Sequence, residues 1–447
     1  MSSTALLLLG PMALFIPVLL LRRFRLVSSL LTVLALAAEA YGCFRLPPDA
    51  GLELLGQVVS LGEAGHLALS WVAGASALLA LAQAVFPHRV IHASLLLPLV
   101  SIAGLALAVE PLSLALPVLW LAVCVSVFLF VARRGSFTRV FRFPVLTALA
   151  LPAFLVAFVL LRQTPLANPD QPPPWGAIAL LLTFGGAAYL SLFPFHAGSP
   201  ALGESGSPLA AGWALGVLQP IALITLARTL AAYPELAAQP AARQAALIIG
   251  AASAVVGAVF ASSANRAGRM LGYTAIPAMG GLYAALAAGA ARTPFFWMGV
   301  FGYSAGVILA SIGLAGMEGK EGAGSISDWA GMVYGRGASL ALLLAGAWGL
   351  CGLPAGIGFW AHRALLPVTQ GLSSGMWLVL LLAPLAAAFG WGRALWVAAR
   401  RGGASVSEGI AARAFAWALA LLALMTFIWP MPLIQLGEAF ARAFGSQ

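Results

Sequence analysis

The chain has 447 residues, of which 62% are hydrophobic and only 8% charged, with a mean hydropathy of +0.99. A soluble core of this length could not bury so much apolar surface, which excludes a soluble globular protein and points to one transmembrane domain over residues 1–447. The formal charge of +10 does not indicate nucleic acid, because the arginines are scattered between apolar runs rather than gathered on one face.

Apolar runs approaching the roughly 20 residues of a membrane-crossing helix recur along the whole chain. About fourteen spans are predicted, starting near Thr4, Leu26, Gly65, Val90, Leu112, Phe143, Gly176, Ser207, Ala245, Met270, Phe295, Ala338, Met376 and Ala414. The fold class is an all-α polytopic membrane protein. The first apolar run has no basic segment before it and is expected to be a retained span, not a cleaved signal. With the N-terminus outside, Arg22, Arg23, Arg25, Arg89, Arg133, Arg134, Arg139, Arg142, Arg266, Arg269, Lys320, Arg336, Arg393, Arg400, Arg401 and Arg413 fall on the cytoplasmic side. Arg45, Arg162, Arg243 and Arg292 are left for the other face. An even number of spans follows, with both termini non-cytoplasmic in the cell's inner (plasma) membrane.

Cys43, Cys124 and Cys351 are far apart and no CxxC or Cys/His cluster exists, so no metal site or disulfide is expected. No Gly-rich phosphate loop is present. The many glycines and alanines read as close helix contacts in lipid, and no soluble cofactor is expected.

Two segments interrupt the apolar pattern. The first runs from Phe193-Pro194-Phe195-His196 through Pro200 to Gly216 and Pro220, then on to Arg228; the second is Gly352-Leu353-Pro354-Ala355-Gly356-Ile357-Gly358-Phe359-Trp360-Ala361-His362-Arg363. Proline and glycine free backbone groups that something must satisfy, so two discontinuous helices are predicted at Pro200 to Pro220 and at Pro354 to Gly358, lining a cavity or packed inside protein. Paired interruptions in two halves of a chain point to a pathway between inverted repeats. The alternative is that they are kinks that only shape packing.

These residues resemble the antiporter-like membrane subunits of respiratory complex I, membrane-bound [NiFe]-hydrogenases and multisubunit sodium/proton (Mrp-type) antiporters. Pro194, Phe195, His196, Pro200, Gly216 and Arg228 stand at that family's spacing, with Pro220 in place of its lysine, and Ala201 and Gly203 in place of an Asp and a second His. Arg269, Tyr273, Ile276, Met279 and Gly280 match a second segment, in which Gly268 replaces a lysine. Gly352 to Phe359 matches a third, whose distal lysine corresponds to His362. Leu121, after Trp120, stands where the family carries a buried glutamate. The single lysine of the chain, Lys320, lies in a polar loop. The antiporter-like core is placed at about residues 90–400.

The resemblance implies proton movement by buried lysines and a glutamate in response to a peripheral redox reaction, and this chain lacks every one of those groups. His362, which titrates near neutral pH without help, is the first proton-path candidate, with His196 and Tyr273 beside it. Arg228, Arg363 and Arg269 stay charged and are expected to fix a carboxylate, a lipid headgroup or a helix end. Glu39 is expected to contact another helix or subunit, and Glu110, His66, His88 and His92 to lie solvated near helix ends. Three functions compete. The favoured one is a non-catalytic membrane-arm subunit of an NADH:quinone oxidoreductase-like or hydrogenase-like complex, degenerate in proton translocation and largely structural. The others are a working proton or cation transporter using His362 and water, and a membrane scaffold for a peripheral partner. Expected partners are other membrane subunits, lipids, and a peripheral redox or carbonic-anhydrase-like subunit.

Overall fold

The computed structural model describes residues 3–47, 51–54, 57–86, 93–109, 114–130, 137–167, 173–318, 325–354, 356–359, 362, 374–401 and 407–445. Arg363, Lys320, Glu110, His88 and His92 fall outside them.

Helices α1 (Ser3–Leu20) and α2 (Arg25–Arg45) are joined by a tight turn at Leu21–Arg23. Before α3 (Glu63–Val85) the chain pairs Leu52–Leu54 with Gln57–Val59 in two short antiparallel strands, within an otherwise helical molecule. Then follow α4 (Leu96–Ala108), α5 (Ala115–Phe130), the short α6 (Phe137–Val140) and α7 (Arg142–Ala148), α8 (Ala150–Ala167) and α9 (Trp175–Tyr189). The middle of the chain holds α10 (Gly198–Ser205), α11 (Pro208–Trp213), a π-helical turn at Ala214–Leu218, and α12 (Gln219–Ala232). Next are α13 (Pro234–Ala237), α14 (Pro240–Ser263), α15 (Ala267–Ala287), α16 (Pro294–Met317) and α17 (Met332–Leu350). The chain closes with α18 (Ser374–Ala399), α19 (Ile410–Ile428) and α20 (Met431–Gly445).

Ten helices among the described residues are long and apolar enough to cross a membrane, and Ala93–Ala108, Ala115–Phe130 and Trp175–Tyr189 are shorter apolar helices. The segment Pro208–Ala232, α15 and α16 are buried almost all round, whereas α1, α2, α18 and α19 show much of their surface outward. This sorting follows side-chain pattern. A helix apolar on every face is buried inside a bundle or faces lipid, and small residues decide which, because they let backbones approach closely. Helices α14 and α15, α16 and α17, and α2 and α3 form the most extensive pairs, with α10 laid against α15.

Candidate functional site

The first interruption begins where α9 ends. Ser191 takes a left-handed conformation (φ 52°), the Phe193–Pro194 bond is cis, and the chain enters α10 at Gly198. Pro200 lies in the first turn of α10, where its missing N–H costs nothing. The helical path breaks at the buried Gly206 and Ser207, and Pro208 opens α11. Pro220 does not break the path. It lies near the start of α12 just after the π turn, inside one buried helical segment, Pro208–Ala232. Proline has no N–H to give to the carbonyl four residues back. That carbonyl, on Gly216, accepts a hydrogen bond from the Ser304 hydroxyl of α16, and Ser304 in turn accepts from Trp71 Nε1 at 2.8 Å.

Gln219, beside Pro220, occupies the same interior with neutral chemistry. Its Nε2 donates to the Leu190 carbonyl at the end of α9 (2.8 Å), and its Oε1 accepts from the Tyr303 hydroxyl of α16 (2.6 Å). Both side chains are almost fully buried.

The second interruption follows α17. Gly352 adopts φ +69°, and a Cβ there would strike the ring of His362, so the glycine supplies both the turn and the space for the imidazole. His362 N–H bonds the Gly358 carbonyl at 3.2 Å. The side chain is buried, and its Nε2 has no hydrogen-bond partner among the described residues. His362 and Tyr303 line one small void of about 10 Å³ with Gly349, Gly358 and Ala278, close to the least volume that holds a water molecule. The structure thus brings His362 to the Tyr303–Gln219 chain, which ends beside the position where the lysine was expected.

His196 and Tyr273 meet elsewhere. Phe193, His196, Phe260 and Tyr273 form a ladder with ring centroids 6.0, 6.4 and 5.2 Å apart. Arg269 lies over the Tyr273 ring at 5.6 Å, and its Nε is 3.8 Å from Glu204. Nδ1 of His196 is buried without a partner among the described residues. Arg228 reaches across to α4, where it donates to the Leu107 carbonyl at 2.6 Å and so caps a helix end.

Three placements change the sequence reading. His66, expected to be solvated, is buried, with Nδ1 3.1 Å from the Cys43 carbonyl, because the start of α3 packs on the end of α2. Leu121 is 49% exposed on the outside of α5, so it is not an interior position. Ala201, Gly203 and Gly268 are all buried, and the two glycines face each other. A Cβ on Gly203 would strike the Gly268 carbonyl oxygen, and one on Gly268 the Gly203 carbonyl oxygen. Glu39 is buried on α2 with Oε1 unpartnered among the described residues.

Sequence reasoning missed Gln219, Tyr303 and Glu204. Gln219 could have been noticed as a polar residue adjoining a motif position, but Tyr303 carries no such local signal. Among the described residues no three His, Cys, Asp or Glu side chains gather as metal ligands would.

Known proteins share the fold and the family signature of this chain. The transmembrane model described as NADH:quinone oxidoreductase/Mrp antiporter matches residues 144–390. The chain is 32% identical over 215 residues to NADH-quinone oxidoreductase subunit N of Cereibacter sphaeroides, covering 47% of this chain and 46% of that protein. It is 29% identical over 298 residues to the subunit of the same name from Rhodopseudomonas palustris, covering 65% and 61%. The chain therefore spans about half the length of the first of these relatives and less than two thirds of the second. Its fold resembles a chain in the archaeal membrane-bound sulfane sulfur reductase complex (TM-score 0.82, 16% identity, 99% of this chain and 97% of that one). It also resembles a chain of the Mrp complex from Dietzia sp. (0.79, 14%, 98% and 97%) and one of respiratory complex I from Thermus thermophilus (0.76, 19%, 97% and 99%). The matched segment holds the first interruption, the α10–α15 contact and His362, and the chain belongs to the NADH:quinone oxidoreductase/Mrp antiporter transmembrane family.

Proposed function

We propose that this chain is a membrane-arm subunit of a multisubunit energy-converting complex in which the lysine-based proton relay has been closed and the present role is largely structural. The observation that carries this reading is the Gly203–Gly268 contact. At the two positions where the family resemblance places a histidine and a lysine, backbones touch and no side chain fits without separating α10 from α15. Pro220 adds to it, since the place of another lysine is taken by a residue without an ionisable group, and its surroundings are satisfied by Ser304, Tyr303 and Gln219. A carboxamide holds a hydrogen-bond chain in place, but it is a poor link for passing protons, because it carries no readily ionised group.

In this reading the molecule is a single transmembrane domain of about fourteen spans in the inner membrane, with inverted-repeat ancestry and both termini non-cytoplasmic. Its partners are other membrane subunits and a peripheral redox or carbonic-anhydrase-like protein. One observation favours a second reading, a transporter using His362 and water: the unpartnered Nε2 of His362 shares a near-water-sized void with the Tyr303 hydroxyl. Purification of the assembled complex in mild detergent identifies the partners, and reconstitution of wild type and His362→Leu into vesicles separates the two readings. Unchanged proton movement with an intact assembly supports the structural role. Loss of it, with assembly intact, overturns that role and establishes the histidine path.

A further inference from the structure

The turn between α14 and α15, residues 264–266, joins two helices that are each long and apolar enough to cross a membrane, which puts it at a membrane edge when both span. Three guanidinium groups converge there on one carboxylate. Arg139 Nη1 and Arg266 Nη1 are each 3.2 Å from Glu204 Oε1, and Arg269 Nε is 3.8 Å from Oε2. The three arginine side chains are about half exposed (52%, 54% and 50%), whereas Glu204 is only 12% exposed at the end of α10. Three positive charges thus face one negative charge. A fourth guanidinium, Arg393 of α18, reaches the same turn and donates to the Ala264 carbonyl.

An apolar strip continues from this cluster. The Arg269 guanidinium stacks on Tyr273, Tyr273 on Phe260, and the ladder runs on through His196 to Phe193. Phe260 is 45% and Phe193 39% exposed, and on α14 Val255 and Val259 are exposed with Phe260. An excess of cations at the membrane edge, above exposed apolar side chains, is complementary to a phosphate headgroup with acyl chains below it, and basic pockets between transmembrane helices recognise anionic lipids in this way. A zwitterionic headgroup brings its own cation and fits the surplus less well.

We propose that Arg139, Arg266 and Arg269 bind the phosphate headgroup of an anionic phospholipid, that Glu204 is the group with which the phosphate competes, and that Phe260 and Phe193 contact the acyl chains. The site adjoins Gly203 and Gly268, but lipid binding there does not depend on what, if anything, crosses the membrane.

The test uses the full chain, purified in mild detergent and titrated with phosphatidylglycerol, phosphatidylcholine or inorganic phosphate, with bound lipid read by native mass spectrometry and the melting temperature followed in parallel. Phosphatidylglycerol is expected to stay bound and raise the melting temperature, and the other two to do neither. Arg266→Gln with Arg269→Gln should weaken phosphatidylglycerol roughly thirtyfold, taking the usual contribution of an arginine near an anionic lipid surface. Glu204→Gln keeps all three arginines and removes the competing charge, so it should bind this lipid more tightly; this variant decides the matter should the double variant fail to fold. Equal binding of phosphatidylcholine, stabilisation by phosphate alone, or weaker binding by Glu204→Gln overturns the proposal. So does a double variant that retains lipid as wild type does but loses a membrane partner, since the arginines then serve an acidic protein surface.

Discussion

At residues 203 and 268 the arrangement differs from one in which a short side chain leaves its space to water. Here there is no such space, because α10 and α15 are in backbone contact at the two glycines. Neither carbonyl can give way as the end of a flexible side chain could. Gly268→Ala is therefore expected to destabilise the protein by roughly 1–3 kcal/mol, the usual effect of overpacking. Gly74 of α3 is the control: a Cβ added there meets nothing within 4 Å, so Gly74→Ala should be neutral or stabilising by about 0.5–1 kcal/mol, the ordinary gain of alanine over glycine in a helix. Thermal unfolding of the purified chain in detergent checks both. Equal melting temperatures for the two variants would show that α10 and α15 are not in tight contact.

At the scale of elements, the two interruptions were legible because proline and glycine punctuate backbone hydrogen bonding wherever they occur, but the sequence did not say which proline interrupts. Pro200 and Pro220 read alike as one-dimensional signals. In the structure one sits in the first turn of a helix and the other follows a π turn within a continuing helical path, with the break at Gly206 and Ser207. The Gly216 carbonyl is met by Ser304, 84 residues beyond Pro220, and distant side chains are invisible to local pattern. Tyr303 and Gln219 escaped notice for the same reason. Ser304→Ala should cost about 1–3 kcal/mol, because it removes the donor to the Gly216 carbonyl and the acceptor for Trp71 Nε1. Pro220→Ala restores an N–H at position 220, and in that background the cost of Ser304→Ala should fall by about 1 kcal/mol, a coupling typical of groups that share a partner. A double-mutant cycle by chemical or thermal unfolding measures it. Strict additivity would mean that Ser304 does not compensate for the proline.

For the whole molecule, hydropathy made the membrane class plain, and motif spacing made the family plain, since both are properties of residue order alone. The burial of His66 and the outward placement of Leu121 were not legible, because they depend on how helices rotate against their neighbours. Orientation combines the two kinds of information. Arg22 and Arg23 lie in the α1–α2 turn and Arg25 opens α2, Arg266 precedes α15, and Arg400 and Arg401 follow α18, whereas Arg45 closes α2, Arg162 lies towards the end of α8, Arg243 near the start of α14 and Arg292 before α16, on the other side. Contacts place each terminus with the second group. The Ser3 hydroxyl donates to the Pro47 carbonyl at 2.9 Å, tying the start of α1 to the Arg45 end of α2. At the other terminus, the Trp297 ring packs against Phe440 and Phe444 with centroids 5.1 and 4.6 Å apart, fixing α20 beside the start of α16 and so near Arg292. Because positive loops stay in the cytoplasm, both termini are expected outside. Alkaline phosphatase fused to either end should be active, and a fluorescent protein that matures only in the cytoplasm should remain dark at both. Cytoplasmic fluorescence from one end alone would require an odd number of spans, and from both ends an inverted molecule whose arginine-rich turns face outward against the usual bias.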